Sequence, residues 1–242
     1  MNIKIILSYD GTNYHGWQEQ QNARSVAGVL LAAIRAVMGD VESVQGVSRT
    51  DAGVHAILYT ANFHTEKLIP IGNIVKALNS NLPDDIRVLN AEIVDDNFHS
   101  QFDCVNKTYI YRINNCEIHS PFERTLSWHY LYELDIKKMQ DAVADFIGTK
   151  DFTSFCAAGD ERENRIRTIN SLTISRENDI VKIEVNADGF LYNMVRIIVG
   201  TLVEIGNGKA HSVEEIIGSK DRTKAGITAP PHGLYLKEAF YK

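Results

Sequence analysis

At 242 residues the chain can fold as one large domain or two small ones, around a core that stands without disulfides or structural metal. Its 25 Lys and Arg against 31 Asp and Glu give a net charge of −6, so a nucleic acid would have to be met by a local basic patch rather than by bulk attraction. Three cysteines, Cys104, Cys116 and Cys156, form no CxxC pair and fit a reducing cytoplasm; the apolar N-terminus is too short for a signal peptide, and the longest apolar run, 190–205, is broken by Arg196 and Glu204 and too short to span a membrane.

A strand is expected at 3–8, followed by the clearest helix, 25–38, where Val26, Val29, Leu30, Ala33, Ile34 and Val37 recur at helical spacing. Ser25 is its N-cap and Gly39 lies just past its end. Strands follow at 41–47 and 55–63, a helix at 71–78 after Pro70, then strands at 86–93 and 107–113. A helix from Asp135 to 147 would bury Ile136, Met139, Val143, Phe146 and Ile147 and stop at Gly148. Strands at 166–174 and 181–185 flank a hairpin turn at 177–179; a helix at 191–205, apolar on nearly every side, reads as deeply buried. A short helix at 213–217 and a strand at 234–240 complete the chain. The order β-α-β-β-α-β occurs twice, which is the split βαβ arrangement of an α+β protein. It predicts an N-terminal half at 1–102 and a C-terminal half at 103–242, with antiparallel sheets side by side around a cleft suited to a long ligand.

The chemistry is narrowed first by what is missing. There is no GxxxxGK[ST] loop, no GxSxG elbow and no HExxH, and Gly206-Asn207-Gly208 follows a helix rather than a strand. Nucleotide-cofactor, zinc and serine-hydrolase readings lose their support; Cys104 and Cys156, without an identifiable partner, read as small core residues. What stands out is the polar segment 46–56, between two strands, carrying Arg49, Thr50, Asp51, Gly53 and His55. Asp51 offers a carboxylate, Arg49 a cationic fork and Gly53 close backbone approach; the plain alternative is an ordinary Asp-Ala-Gly turn.

Arg196 sits inside the most apolar helix, in line with Tyr192, Val199 and Val203, and a buried guanidinium needs a carboxylate partner. Glu204 would be a structural partner. Asp51 would be a functional one, held ionised and aimed. Tyr109 and Tyr111 alternate on one strand between Lys107 and Arg112, either as core packing or as a platform that stacks a base and holds a phosphate. The positive stretches Arg162, Arg165 and Arg167, and Lys220, Arg222 and Lys224, read as solvated faces or as phosphate contacts.

With these residues assembled, the sequence resembles bacterial tRNA pseudouridine synthase A. The resemblance is carried by Tyr9-Asp10-Gly11-Thr12 through Gly16-Trp17-Gln18, by Arg49-Thr50-Asp51-Ala52-Gly53-Val54-His55-Ala56 and by Lys107-Thr108-Tyr109-Ile110-Tyr111-Arg112. It continues in Gly189-Phe190-Leu191 with Met194-Val195-Arg196 and Val199-Gly200, and in the stretch from Ala225-Gly226 to Gly233-Leu234. The resemblance implies a cytoplasmic isomerase, an intramolecular transferase that converts uridine to pseudouridine at tRNA positions 38, 39 and 40, in the anticodon arm, without cofactor or metal. It implies two ferredoxin-like, RRM-like halves per subunit and a homodimer. By position, Asp51 would be the catalytic aspartate and Arg196 its ion-pair partner. Tyr109 would stack on the target uracil and offer a base for the last proton, and Arg49 would enter the RNA stem. His55, Lys107 and Arg112 complete the expected substrate-binding set.

Ser48 stands where the family mostly has glycine, Ala27 and Val29 replace polar residues, and the loop 157–164 is acidic. These departures keep a paralogue with another RNA target in view. A non-catalytic RNA-binding protein using Tyr109 and Tyr111 would have no need of Asp51 together with Arg196. A small-molecule enzyme using Asp51 and His55 as acid and base would be insensitive to salt, unlike a tRNA binder.

Overall fold

The computed structural model describes residues 1–209 and 212–242. In chain order it begins with β1 (Asn2–Tyr9), α1 (Val26–Met38), β2 (Gln45–Gly46), β3 (His55–His64), α2 (Ile71–Asn79) and β4 (Ile86–Val94). It continues with β5 (Cys104–Asn114), β6 (Trp128–His129), α3 (Ile136–Asp141), β7 (Gly148–Asp151), β8 (Ile166–Glu177) and β9 (Ile180–Ala187). Helices α4 (Met194–Gly206) and α5 (Val213–Ser219) and strand β10 (Leu234–Tyr241) follow. The protein is α+β, and its residues fall into two units: Met1–Val105 with Tyr235–Lys242, and Asn106–Leu234. The last strand, expected within 103–242, groups with the first unit because β10 pairs in parallel with β3, Tyr235 opposite His55 and Leu236 opposite Ala56.

In the first unit β3 lies antiparallel to β1, and β1 antiparallel to β4. Alternation puts Ile3, Ile5 and Leu7 of β1 and Ala61 and Phe63 of β3 in the core with Leu30 and Ile34 of α1, each large side chain contributing roughly 1.5–3 kcal/mol by burial. The Ser25 side chain accepts from the Gly28 N–H and caps α1, as the sequence predicts, and Gly39 closes it at φ 88°. Strand β2 is two residues long rather than the expected 41–47. Arg35 of α1 explains the difference: its Nε donates to Val41 O at 2.8 Å and its Nη2 to Glu42 O at 3.0 Å, drawing carbonyls away from strand pairing. Opposite β1, Leu89 is the extra residue of a bulge, and the Asn79 amide meets Val88 O and Val88 N, both at 2.8 Å.

In the second unit the order β5-β9-β8-β7 is antiparallel throughout, with β6 added in parallel to the end of β5. Asn178, at φ 52°, turns the β8–β9 hairpin where the sequence predicts it. The helix expected over 135–147 stops at Asp141 and tightens into a 3-10 turn over Ala142–Phe146, which sets Phe146 edge-on to Phe155 at 5.3 Å. Helix α4 is buried at every position but Arg196 and Glu204. Its Gly206 lets α3 approach, since a Cβ there would sit 2.8 Å from Met139, and the Asp135 N–H donates to Gly206 O. Among the described residues no helix is long and apolar enough to cross a membrane.

Candidate active site

The segment carrying Asp51 is the loop between β2 and β3, built on a floor of buried aromatic rings. Trp17 stacks on Tyr59 at 4.2 Å and 25°, and Tyr9 lies against Tyr59 at 5.5 Å. Their polar tips hold the loop from below. The Tyr9 hydroxyl shares a 2.8 Å hydrogen bond with Thr50 Oγ1, and the Tyr59 hydroxyl donates to Ser48 O while accepting from the Ser48 N–H. Gly46 is required beside them, because a Cβ would lie 2.3 Å from the Trp17 ring and 2.4 Å from the Tyr59 oxygen.

A second strand of chain binds the loop from the side. The Trp17 N–H donates to Thr50 O, the Gly53 N–H to Tyr14 O, and the Val54 N–H closes a turn onto Asp51 O. Gly16 has φ 88° and its Cβ would lie 2.4 Å from Thr50 O, so both its backbone conformation and its closeness exclude a side chain. Tyr14 is itself fixed, its hydroxyl donating to Asp85 while Arg24 covers its ring at 4.8 Å. Asp51 is thus half-buried on a loop whose neighbours on both sides are tied down, and Arg49 beside it is exposed. Such anchoring is what a positioned carboxylate requires.

His55, expected to meet substrate, is 1% exposed. Its Nδ1 accepts from the Gly11 N–H at 3.1 Å, lies 3.1 Å from an Asp10 carboxylate oxygen, and its ring stacks on Tyr235 at 4.6 Å. In that place it braces the end of β1 against β3.

In the second unit Tyr109 is 6% exposed, with Phe190 edge-on at 5.1 Å and 86°. Tyr111 is fully buried; its hydroxyl donates to Pro230 O at 2.7 Å, and burial pushes its pKa far above the ordinary phenol range. Lys107 is half-buried. Arg112, expected to hold phosphate, pairs with Glu123 at 3.0 and 3.2 Å.

Arg196 lies in the first turn of α4. Its Nε donates to Ala229 O at 2.7 Å and its Nη1 to Asn193 Oδ1 at 2.7 Å, and the Ala229 N–H donates back to Arg196 O. Asn193 caps the helix in the left-handed region, φ 59°, which asparagine tolerates. Glu204, the structural partner considered from sequence, stands eight residues on, about 12 Å along the axis. Its carboxylate accepts from the Ile227 N–H and lies 3.4 Å from Lys209.

The segment 225–229 lies directly on α4. A Cβ on Gly200 would sit 1.8 Å from Ile227 O and one on Gly226 would sit 2.6 Å from the Thr201 backbone, so two glycines permit the contact that aims Arg196. Arg222 ties the segment from outside, donating to Gly226 O and Thr228 Oγ1. Of the positive stretches, Arg162 and Arg165 turn to Asp160 and Lys220 pairs with Asp151. Among the described residues no group of three or more His, Cys, Asp or Glu is placed to hold a metal ion. The anchoring roles of Tyr59, Tyr14, Asp85 and Asp160 are not apparent from sequence, because strand tyrosines and loop carboxylates carry no spacing signal for the bonds they make.

Asp51 thus stands on a fixed loop of the first unit, and Arg196 is held by backbone and Asn193 on a buried helix of the second. The family model described as tRNA pseudouridine synthase matches residues 5–103 and 142–242. Among relatives, "tRNA pseudouridine synthase A" of Thermoanaerobacter sp. (strain X514) is 50% identical over 242 residues, covering 99% of each chain. "tRNA pseudouridine synthase A 2" of Clostridium tetani (strain Massachusetts / E88) is 48% identical over 244 residues, covering 99% of this chain and 98% of the relative. A solved structure titled "Structure of H/ACA RNP bound to a substrate RNA containing 2'-deoxyuridine" superposes with TM-score 0.42 at 10% identity, over 97% of this chain and 47% of that one, a likeness too remote to bear on the site. The chain belongs to the tRNA pseudouridine synthase family and is an isomerase of that family. Arg49, Asp51, His55 and Arg196 lie within the matched stretches; Lys107, Tyr109 and Arg112 lie between them.

Proposed function

We propose that the protein isomerises uridine to pseudouridine at positions 38, 39 and 40 of the tRNA anticodon arm, with Asp51 as its single catalytic carboxylate. The reaction breaks the bond from ribose C1′ to uracil N1, turns the uracil and rejoins it through C5, whose hydrogen leaves as a proton while N1 takes one up. The target base must leave its stack and the freed uracil must be retained. Asp51 serves by attacking the sugar or the base, or by taking the ribose 2′ proton. Arg196 is its ion-pair partner, Tyr109 stacks on the uracil and stands ready for the last proton, and Arg49 enters the stem. Lys107 supplies positive charge near Tyr109, Arg112 is drawn to Glu123, and His55 braces the end of β1 against β3. The observation that carries this reading is the loop itself, where Tyr9, Trp17 and Tyr59 fix Ser48 and Thr50 ahead of a half-exposed Asp51 and Tyr14 fixes Gly53 beyond it.

We read each unit as built on a ferredoxin-like half; the order β4-β1-β3 with β2 on the far side of β3 supports this for the first. The reaction as proposed needs no cofactor or metal, the setting is the cytoplasm, and the active species is a homodimer. The test is incubation with an unmodified tRNA transcript tritiated at C5 of uridine. Tritium release is expected, and it should vanish when the uridines at 38, 39 and 40 are replaced by cytidine. Release that persists after replacement identifies another RNA target, and binding without release from any tRNA identifies a non-catalytic binder.

A further inference from the structure

The loop 157–164 looks in sequence like an acidic surface turn, yet the Asp160 side chain is 3% exposed. A carboxylate so placed is unfavourable unless it is paired and hydrogen-bonded. Arg162 grips it in a fork, Nε to Oδ1 at 2.8 Å and Nη2 to Oδ2 at 2.6 Å, and Arg165 lies 3.5 Å away. Oδ2 also accepts from the Tyr192 N–H at 2.9 Å and from the Cys156 thiol at 3.3 Å.

The same loop makes two more bonds to the chain just ahead of α4. Arg162 Nη1 donates to Phe190 O at 3.0 Å, and the Ala157 N–H donates to Tyr192 O at 3.0 Å. Three backbone groups of 190–192 are thereby fixed by one turn organised around one carboxylate. Phe190 is the ring that meets Tyr109 edge-on. The next residue after Tyr192 is Asn193, whose side chain accepts from Arg196 Nη1.

We propose that Asp160 is a positioning residue for the isomerisation: by holding 190–192 it sets the Tyr109 ring, through Phe190, and the Arg196 fork, through Asn193. This rests on the roles of Tyr109 and Arg196 proposed above. A side chain that merely stabilised the fold would alter melting temperature and leave the rate of the folded enzyme unchanged. One that positions two reacting groups lowers the rate and leaves RNA affinity intact, because small displacements of such groups slow chemistry steeply.

The experiment measures single-turnover tritium release at saturating tRNA, tRNA Kd and melting temperature for Asp160→Asn, Arg162→Gln, Phe190→Leu and the double variant Asp160→Asn/Phe190→Leu. Asp160→Asn is expected to slow release about tenfold with Kd within about twofold of wild type, and Arg162→Gln, at a more exposed site, to slow it less. The double variant should be slowed by less than the product of the two single effects, since part of the Asp160 effect passes through Phe190. Release by Asp160→Asn at the wild-type rate would overturn the proposal, as would a loss of rate matched by a loss of affinity, or fully multiplicative effects. Failure of the wild type to release tritium from any tRNA overturns the functional reading and this proposal with it; an active wild type with an unaffected Asp160→Asn overturns the proposal alone.

Discussion

Arg196 and Ala229 are joined twice, the Arg196 Nε donating to Ala229 O at 2.7 Å and the Ala229 N–H donating to Arg196 O at 3.1 Å. The guanidinium is therefore aimed by backbone, which moves far less than a side chain. Arg196→Lys keeps the charge but loses the fork and the Nε bond. Turnover is expected to fall by at least about tenfold while tRNA Kd changes less than about threefold, measured by single-turnover kinetics and filter binding. A normal rate would show that the fork plays no part in the chemistry.

Gly200 tests the same arrangement from the far side. Its missing Cβ leaves room for Ile227 O at a distance where no side chain fits. Gly200→Ala should lift 225–229 off the helix and loosen Arg196, with a stability loss of about 1–3 kcal/mol in urea unfolding. Turnover of the folded fraction should also drop, and an unchanged rate would detach the segment from the active site.

Tyr59→Phe removes one hydroxyl that both donates to and accepts from Ser48. The ring stack with Trp17 survives, so the stability loss should stay near 1–3 kcal/mol. The loop loses one of its tethers, and the single-turnover rate should fall while tRNA affinity holds. Equal losses of rate and affinity would instead place Tyr59 in RNA binding.

His55→Asn should lower melting temperature and leave tRNA Kd unchanged, because the ring is enclosed by Gly11, Asp10 and Tyr235. A selective loss of affinity in a fully folded variant would return His55 to the RNA-contacting set.

Asp160 gives stability a pH dependence whose sign follows from its partners. The Arg162 bond holds its carboxyl far below the usual carboxylate range, despite opposing burial. Its contribution is complete above the unfolded value of about 3.9 and is lost as pH falls below it toward the folded value. The urea-midpoint difference between wild type and Asp160→Asn should be constant from about pH 5 upward and narrow below about pH 4. A difference that widened on acidification would contradict the pairing.

Much of this could be read from sequence where one local rule dominates. The Ser25 cap and Gly39 stop bound α1 because cap chemistry is local, and alternation finds β1 because one face of it is buried. The boundary of β2 could not be read, since Arg35 reaches from a helix to claim its carbonyls. Strands β6 and β7 are too short to show a period. In the site, Asp51 and Arg196 stand out because a charge in an unusual setting is visible in sequence. Arg112 looked free for phosphate, but Glu123, eleven residues on, meets it through the fold. Asp160 looked like surface charge because nothing local announces that Tyr192, thirty-two residues away, will present it an N–H.

The role of Asp51 in the isomerisation is tested most directly by tritium release from C5-labelled tRNA by wild type and Asp51→Asn, with both proteins shown to be folded and to bind the transcript. Release by wild type, none by Asp51→Asn, and equal tRNA affinity for the two are expected. Release by Asp51→Asn at a rate near that of wild type would contradict that role.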